Sequence, residues 1–307
     1  MTRKTMTMKH SLEECTLCPR ECHANRLCGE VGYCRQTAQV RAARAALHMW
    51  EEPCISGNVG SGTVFFTGCT LGCVYCQNAL ISDGDVGKEI STDWLARIFL
   101  ELQEQGAWNI NLVTAGHFAP QVARALEIAK SRGLTLPVVY NTSGYEKVET
   151  LKFLEGYIDV YLPDLKYMRP ETAYRLSGVQ NYPEIARAAI NEMFRQVGKP
   201  VFAGEQMLRG VIVRHLVLPG MVEEAKAVIR YLYDTYGDNI YISILNQYTP
   251  TPRMSEYPDL NRKITRAEYD AAVDFAIDLG VENGFIQEGD TAKESFIPEF
   301  DITGIDG

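Results

Sequence analysis

A β-branched and aromatic run, Gly62-Thr63-Val64-Phe65-Phe66, leads straight into Thr67-Gly68-Cys69-Thr70-Leu71-Gly72-Cys73-Val74-Tyr75-Cys76-Gln77-Asn78. The first stretch reads as a strand. Three cysteines spaced C-x3-C-x2-C on the loop that follows it make a soft-metal site. Zinc closes its tetrahedron with four protein ligands in structural sites, or with a mixed ligand set plus water in catalytic ones, and no fourth ligand stands in register here. A cubane iron-sulfur cluster held by three cysteines keeps one iron open to a further ligand, and that is the functional reading of the loop. The bland alternative is a chance trio of buried thiols, since free cysteines are usually scattered core residues.

The chain has 307 residues, 46% hydrophobic and 22% charged, enough for one large core, and α/β barrels run to roughly 250 residues. A net charge of -9 with no run of lysine or arginine argues against nucleic acid, because phosphate contact wants a basic face. The stretch Met1-Thr2-Arg3-Lys4-Thr5-Met6-Thr7-Met8 lacks the apolar core of a signal peptide, and no run approaches 18 apolar residues, so no membrane span is expected. All nine cysteines lie before residue 77, which points to a reducing compartment and metal rather than disulfides. The expected location is cytoplasmic.

Cys15, Cys18, Cys22, Cys28 and Cys34 crowd into a turn-rich segment with Pro19, Gly29 and Gly32. Such a segment folds around a bound ion or cluster whose binding energy substitutes for a core. Cys15, Cys18, Cys22 and Cys34 offer four thiolates with Cys28 as a spare, suited either to zinc or to a second 4Fe-4S cluster. Residues 37–50, with Ala42-Ala43-Arg44-Ala45-Ala46-Leu47-His48, have helical propensity, His48 reads as a half-exposed packing histidine, and Cys54 reads as structural.

From Thr63 onward strand and helix alternate. Ser91-Thr92-Asp93 caps a helix with Leu95, Ile98, Phe99 and Leu102 on one face. Strands are expected at 109–114, 136–140, 158–162, 211–218 and 239–245, with helices between them and over 265–279. Six strands each followed by a helix imply parallel pairing. Six units are too few to close an eight-unit barrel, so the expected fold is α/β, a partial (β/α)6 barrel over 59–284. A cysteine-rich, metal-stabilised extension (1–58) precedes it and a tail (285–307) packs on it.

Function in such folds gathers at the carboxyl ends of the strands. After the cysteine loop these ends carry Thr114-Ala115-Gly116-His117, Asn141-Thr142-Ser143-Gly144-Tyr145, Asp164-Leu165-Lys166, Arg214 and Asn246-Gln247-Tyr248. Arg214 is a charge in an apolar strand and should meet a carboxylate. Asp164 and Lys166 read as ligand contacts or a solvated turn. His117 is either a substrate-facing acid/base or a packed residue, and Gln247 and Tyr248 are further substrate-facing candidates.

The cysteine loop, with an aromatic before its last cysteine, resembles the radical S-adenosylmethionine (radical SAM) superfamily. Gly144, Asp164-Leu165-Lys166, and Arg214 followed by Leu218-Pro219-Gly220 are similar to the pyruvate formate-lyase activating enzyme group. The N-terminal cysteines, Gly60-Ser61-Gly62-Thr63, Asn246-Gln247-Tyr248 and Phe285-Ile286-Gln287-Glu288 look like its uncharacterised branch with an N-terminal cysteine motif. The resemblance implies an oxidoreductase in which Cys69, Cys73 and Cys76 hold a 4Fe-4S cluster that binds S-adenosylmethionine. Tyr75 would lie near the adenine, Asn141 and Ser143 would contact ribose or methionine, Thr114 the methionine amino group, and Asp164, Lys166 and Arg214 the sulfonium substrate. One electron, from a flavodoxin or ferredoxin type donor, would release a 5'-deoxyadenosyl radical that abstracts hydrogen from a glycyl-radical protein. Radical modification of a small molecule or peptide is the close alternative, and a non-catalytic iron-sulfur protein is the reading from another class. The activating enzymes carry aspartate where Asn141 stands, at a monovalent-cation position, and a Gly-Gly-Glu-like stretch where Thr114-Ala115-Gly116-His117 stands.

Overall fold

The strands, in chain order, are Val40–His48 (β1), Ser61–Phe66 (β2), Lys88–Ile90 (β3), Ile110–Val113 (β4), Val138–Thr142 (β5), Val160–Pro163 (β6), Val201–Ala203 (β7), Gln206–Leu216 (β8), Tyr241–Leu245 (β9) and Gly284–Ile286 (β10). The computed structural model describes residues 12–287 and 298–306. Among them, β2, β4, β5, β6, β8, β9 and β10 pair in parallel in that spatial order. Parallel neighbours need a crossover. The helices that supply it are Thr92–Glu104 (α1), Ala119–Ser131 (α2), Val148–Leu154 (α3), Pro170–Ser177 (α4) with Tyr182–Val197 (α5), Val222–Tyr236 (α6) and Arg266–Leu279 (α7). Six β/α units are therefore present, and the sheet is open, with β3 ending one edge and β10 the other. This is the α/β partial barrel expected from the alternation.

The helix boundaries follow local chemistry. Ser91 accepts the Trp94 N–H and starts α1, and Thr265 with Glu268 forms a reciprocal capping box at α7. Leu95, Ile98, Phe99 and Leu102 of α1 are buried against the sheet as their spacing requires.

Two elements differ from the sequence reading. Residues 42–48 are part of strand β1 and not a helix. They pair antiparallel with β2 on one side and, through Val40–Ala42, with β3 on the other, with a bulge between Ala42 and Arg44. The propensity of alanine and arginine is worth only tenths of a kcal/mol per residue, less than pairing on both edges provides. At the other end, Gly284–Ile286 adds a parallel strand to β9, so the chain stays in the sheet beyond residue 284. Glu288 lies outside the described residues. Residues 298–306 lie along β1: Ile302 N–H donates to Ala43 O at 3.0 Å, Ala45 N–H to Thr303 O at 2.9 Å, and Phe300 meets Phe65 edge-on.

The cysteine-rich segment is sewn to the barrel by two arginines. Arg26, fully buried, donates to the carbonyls of Gln36, Thr37 and His117. Arg20 stacks on Tyr33 and donates to Thr70 O and Leu71 O. Charge-assisted bonds are worth about 1.5–3 kcal/mol each, and losing the donor strands the acceptors. Arg26→Ala is therefore expected to destabilise the protein by about 3 kcal/mol or more, read as a fall in the urea midpoint.

Candidate functional site

Strand β2 is buried along its whole length and releases the cysteine loop at Thr67. Gly68 has φ +90°, and a Cβ there would stand 2.4 Å from Cys34 O, so only glycine lets this loop lie on the N-terminal segment. At Gly72, φ is +71° and a Cβ would meet the Tyr33 hydroxyl at 2.8 Å. The sulfurs have donors: Leu71 N–H approaches Cys69 Sγ at 3.4 Å, and the Ser177 hydroxyl donates to Cys73 Sγ at 3.1 Å. Burial pushes the Cys76 thiol up to about 12. A metal-bound thiolate reverses that balance, because the cation supplies the charge that burial withholds.

Cys69, Cys73 and Cys76 line a cavity of about 230 Å³ shared with Tyr75, Thr114, Asn141, Ser143, Asp164, Lys166, Arg214 and Gln247. The strand ends therefore converge on the thiols. A chain of alternating charge crosses this cavity. Lys166 Nζ lies 2.7 Å from Asp164 Oδ2, Asp164 Oδ1 lies 3.0 Å from Arg214 Nε, and Arg214 Nη1 lies 3.0 Å from Glu51 Oε2. Arg214 Nη2 also donates to Asn141 Oδ1 at 2.6 Å. Burial alone would raise the Asp164 carboxyl, but Lys166 and Arg214 outweigh it and hold it below its usual range. Burial alone would lower the Lys166 ammonium, but Asp164 and the Cys73 sulfur hold it above the usual lysine range. The expected carboxylate for Arg214 is thus present twice. Glu51 was not singled out by the sequence; Glu51-Glu52-Pro53 sits in a turn, where no periodicity marks a side chain as inward.

His117 and Tyr248 do not face the cavity. His117 is 1% exposed, its Nε2 lies 2.8 Å from Thr67 O, and burial, aided by Arg26, lowers it to about 3. It braces the start of the cysteine loop as a neutral ring. Tyr248 is fully buried, donates to Leu260 O at 2.7 Å and packs edge-on against Tyr75. Gln247 lines the cavity, with its backbone O accepting from Gln77 and its Oε1 from Gln287. Thr114 holds φ +60° and donates its N–H to Asn141 O, and Tyr182 donates to Ser143 O. His48 packs edge-on against Phe65, and Cys54 is buried away from both cysteine groups.

At the N-terminus Cys15, Cys18 and Cys34 are buried, while Cys22 and Cys28 are exposed. A Cβ on Gly32 would lie 2.4 Å from Cys22 Sγ, which leaves that thiol against the backbone. Among the described residues no three His, Cys, Asp or Glu side chains are gathered so as to hold a single metal ion. In a cubane each cysteine takes a different iron, and three thiols with N–H and O–H donors beside an ammonium are a donor set suited to that group.

An open parallel barrel with three thiols at its first strand end and polar groups at the others defines a class in which a cluster and a zwitterionic ligand meet. The chain belongs to the Radical SAM superfamily, whose profile matches residues 63–232, more than half of its length. An uncharacterized protein of Methanocaldococcus jannaschii is 31% identical over 280 residues, covering 89% of this chain and 77% of its own. Among solved structures, Streptococcus suis SuiB bound to S-adenosylmethionine superposes with a TM-score of 0.50 at 13% identity over 78% of this chain. The hydrogenase maturase HydG from Carboxydothermus hydrogenoformans gives 0.46 at 13% identity, covering 76% of this chain and 59% of its own. The chain spans about half of SuiB, 52%, and identity this low speaks for the fold alone. Superfamily membership implies an enzyme with a 4Fe-4S cluster and S-adenosylmethionine. No helix among the described residues is long and apolar enough to cross a membrane.

Glu146 is buried behind Thr142, whose hydroxyl donates to it, and burial raises its carboxyl from 4.5 to about 7. Between those values the unfolded chain releases the proton while the folded chain keeps it, so stability falls as pH rises through this window. Glu146→Gln removes that loss. From pH 4.5 to 8 its urea unfolding free energy is expected to drop by about 3 kcal/mol less than that of the parent.

Proposed function

We propose that the protein is a radical SAM enzyme that binds S-adenosylmethionine between the Cys69–Cys76 loop and the charged chain ending at Glu51, and cleaves it reductively. The convergence of the three thiols with Lys166, Asp164 and Arg214 on one cavity carries this reading. The cluster, when bound, supplies the electron that splits a carbon-sulfur bond of the sulfonium and yields a 5'-deoxyadenosyl radical. The chain's residues do the rest by position. Lys166 spends one of its three N–H donors on Asp164 and keeps two for a carboxylate. Tyr75 offers a buried aromatic wall for the adenine, and Asn141, Ser143 and Thr114 line the cavity for the ribose and methionine portions.

The finer assignment is an activating-enzyme-like oxidoreductase that takes hydrogen from a glycine of a glycyl-radical protein, with a flavodoxin or ferredoxin type donor. It rests on Gly144, Asp164-Leu165-Lys166 and Arg214 with Leu218-Pro219-Gly220. Cys15, Cys18, Cys22 and Cys34 are proposed to hold a second 4Fe-4S cluster or zinc.

Anaerobically reconstituted protein given dithionite and S-adenosylmethionine is expected to form 5'-deoxyadenosine, and Cys73→Ala to form none. A parent protein that yields no product would sink the proposal, while a glycyl radical signal on a candidate partner would establish the substrate class. In metal quantification, Cys18→Ala is expected to lose the N-terminal equivalent and Cys28→Ala to keep it.

A further inference from the structure

Beyond the contacts of Arg20 and Arg26, the N-terminal segment reaches the barrel interior at Glu51. After β1 the chain turns through Glu51-Glu52-Pro53. Proline holds the preceding residue in extended backbone, and Glu52 has φ -52° and ψ 147°. The turn is tied by Ser56, whose hydroxyl accepts Glu51 N–H at 3.0 Å and donates to His48 O at 3.1 Å. The Glu51 carboxylate is carried inward, leaving 8% of the side chain exposed.

Both of its oxygens are engaged. Oε1 accepts from Asn111 Nδ2 of β4 at 3.0 Å and from Asn141 Nδ2 of β5 at 3.1 Å, while Oε2 takes Arg214 Nη1 of β8. Asn141 is therefore gripped at both ends of its amide, its nitrogen on Glu51 and its oxygen on Arg214. The Arg214 guanidinium is gripped on three sides, by Asp164, Glu51 and Asn141. Of its five N–H donors two are left, and three fixed bonds determine their directions.

We infer that Glu51 is a positioning residue of the cofactor site: it orients Arg214 and Asn141 and supplies, together with Asp164, the negative charge around Arg214. The inference rests on the proposed binding of S-adenosylmethionine to this cavity. Glu51, Asp164, Lys166 and Arg214 sum to zero charge. Neutralising Glu51 shifts the charge of this group by one unit towards positive, facing a ligand that is itself net positive, and releases one side of the guanidinium. Both effects weaken binding of the sulfonium, and neither touches the thiols. The N-terminal segment is thus part of the cofactor site.

The test uses full-length reconstituted protein and measures the S-adenosylmethionine dissociation constant by equilibrium dialysis with labelled ligand. It also records the change that the ligand causes in the electron paramagnetic resonance spectrum of the reduced cluster. Glu51→Gln is expected to weaken binding about tenfold and to diminish the ligand-induced spectral change, with iron and sulfide content equal to the parent. Glu51→Asp, which keeps the charge but shortens the reach, is expected to recover part of the loss and serves if the glutamine variant does not fold. Glu192→Gln removes a comparably buried carboxylate, paired with Arg195 on α5, and is expected to leave the dissociation constant unchanged. Binding by Glu51→Gln within twofold of the parent overturns the inference. A parent protein that does not bind S-adenosylmethionine at all overturns instead the functional reading on which it stands.

Discussion

A guanidinium placed on a buried strand sets the terms for everything around it. Removing one partner from a buried ion pair costs about 3–5 kcal/mol because the other charge is left in a medium that cannot solvate it. Arg214 lies between β6 and β9, and the surrounding strands answer it with Asp164 from the end of β6 and Asn141 from β5, while Glu51 enters from outside the barrel. Asp164 in turn draws in Lys166. The polarity of the cavity follows from one cation and the obligation to satisfy it, and the same obligation draws the N-terminal segment into the interior.

The cysteine loop depends on that segment as well. Twelve residues without regular structure, 67–78, would be costly to order, yet three thiols must stand in fixed relation for a cluster to be held. The loop is confined on one side by Cys34 and Tyr33, which leave room only for glycine at Gly68 and Gly72, and on the other by Ser177 beneath Cys73. Arg20 holds the carbonyls of Thr70 and Leu71 while His117 holds that of Thr67. Preorganisation of this kind lets the donor set be ready before the ligand arrives.

The strand and helix alternation was legible because buried parallel strands are written as apolar runs and their helices as stripes, as at Val138–Thr142 and in α1. The strand ends were legible because charge beside an apolar run is conspicuous, and Arg214, Asp164 and Lys166 meet as their chemistry demands. Direction was not legible. His117 and Tyr248 follow strands as a functional residue would, but the chain turns each into the core, and nothing in their neighbours records that turn. Glu51 is the converse, an acidic residue in a turn that reads as solvated and is drawn inward by an arginine 163 positions away. β1 was hidden because its alanines favour a helix by propensity, and only pairing with β2 and β3 holds them extended.

The segment 298–306 finishes the outer side of β1. β3 covers only Val40–Ala42 on that side, and beyond it the backbone groups of Ala43 and Ala45 are taken by Ile302 and Thr303. Uncovered, they would form a row of open hydrogen-bonding groups beside the exposed Met49 and Trp50, the kind of template on which a second chain adds a strand. The last described residues therefore serve solubility as much as shape: they occupy an edge that would otherwise recruit another copy, and a chain cut short before Pro298 would be left prone to sheet-to-sheet self-association.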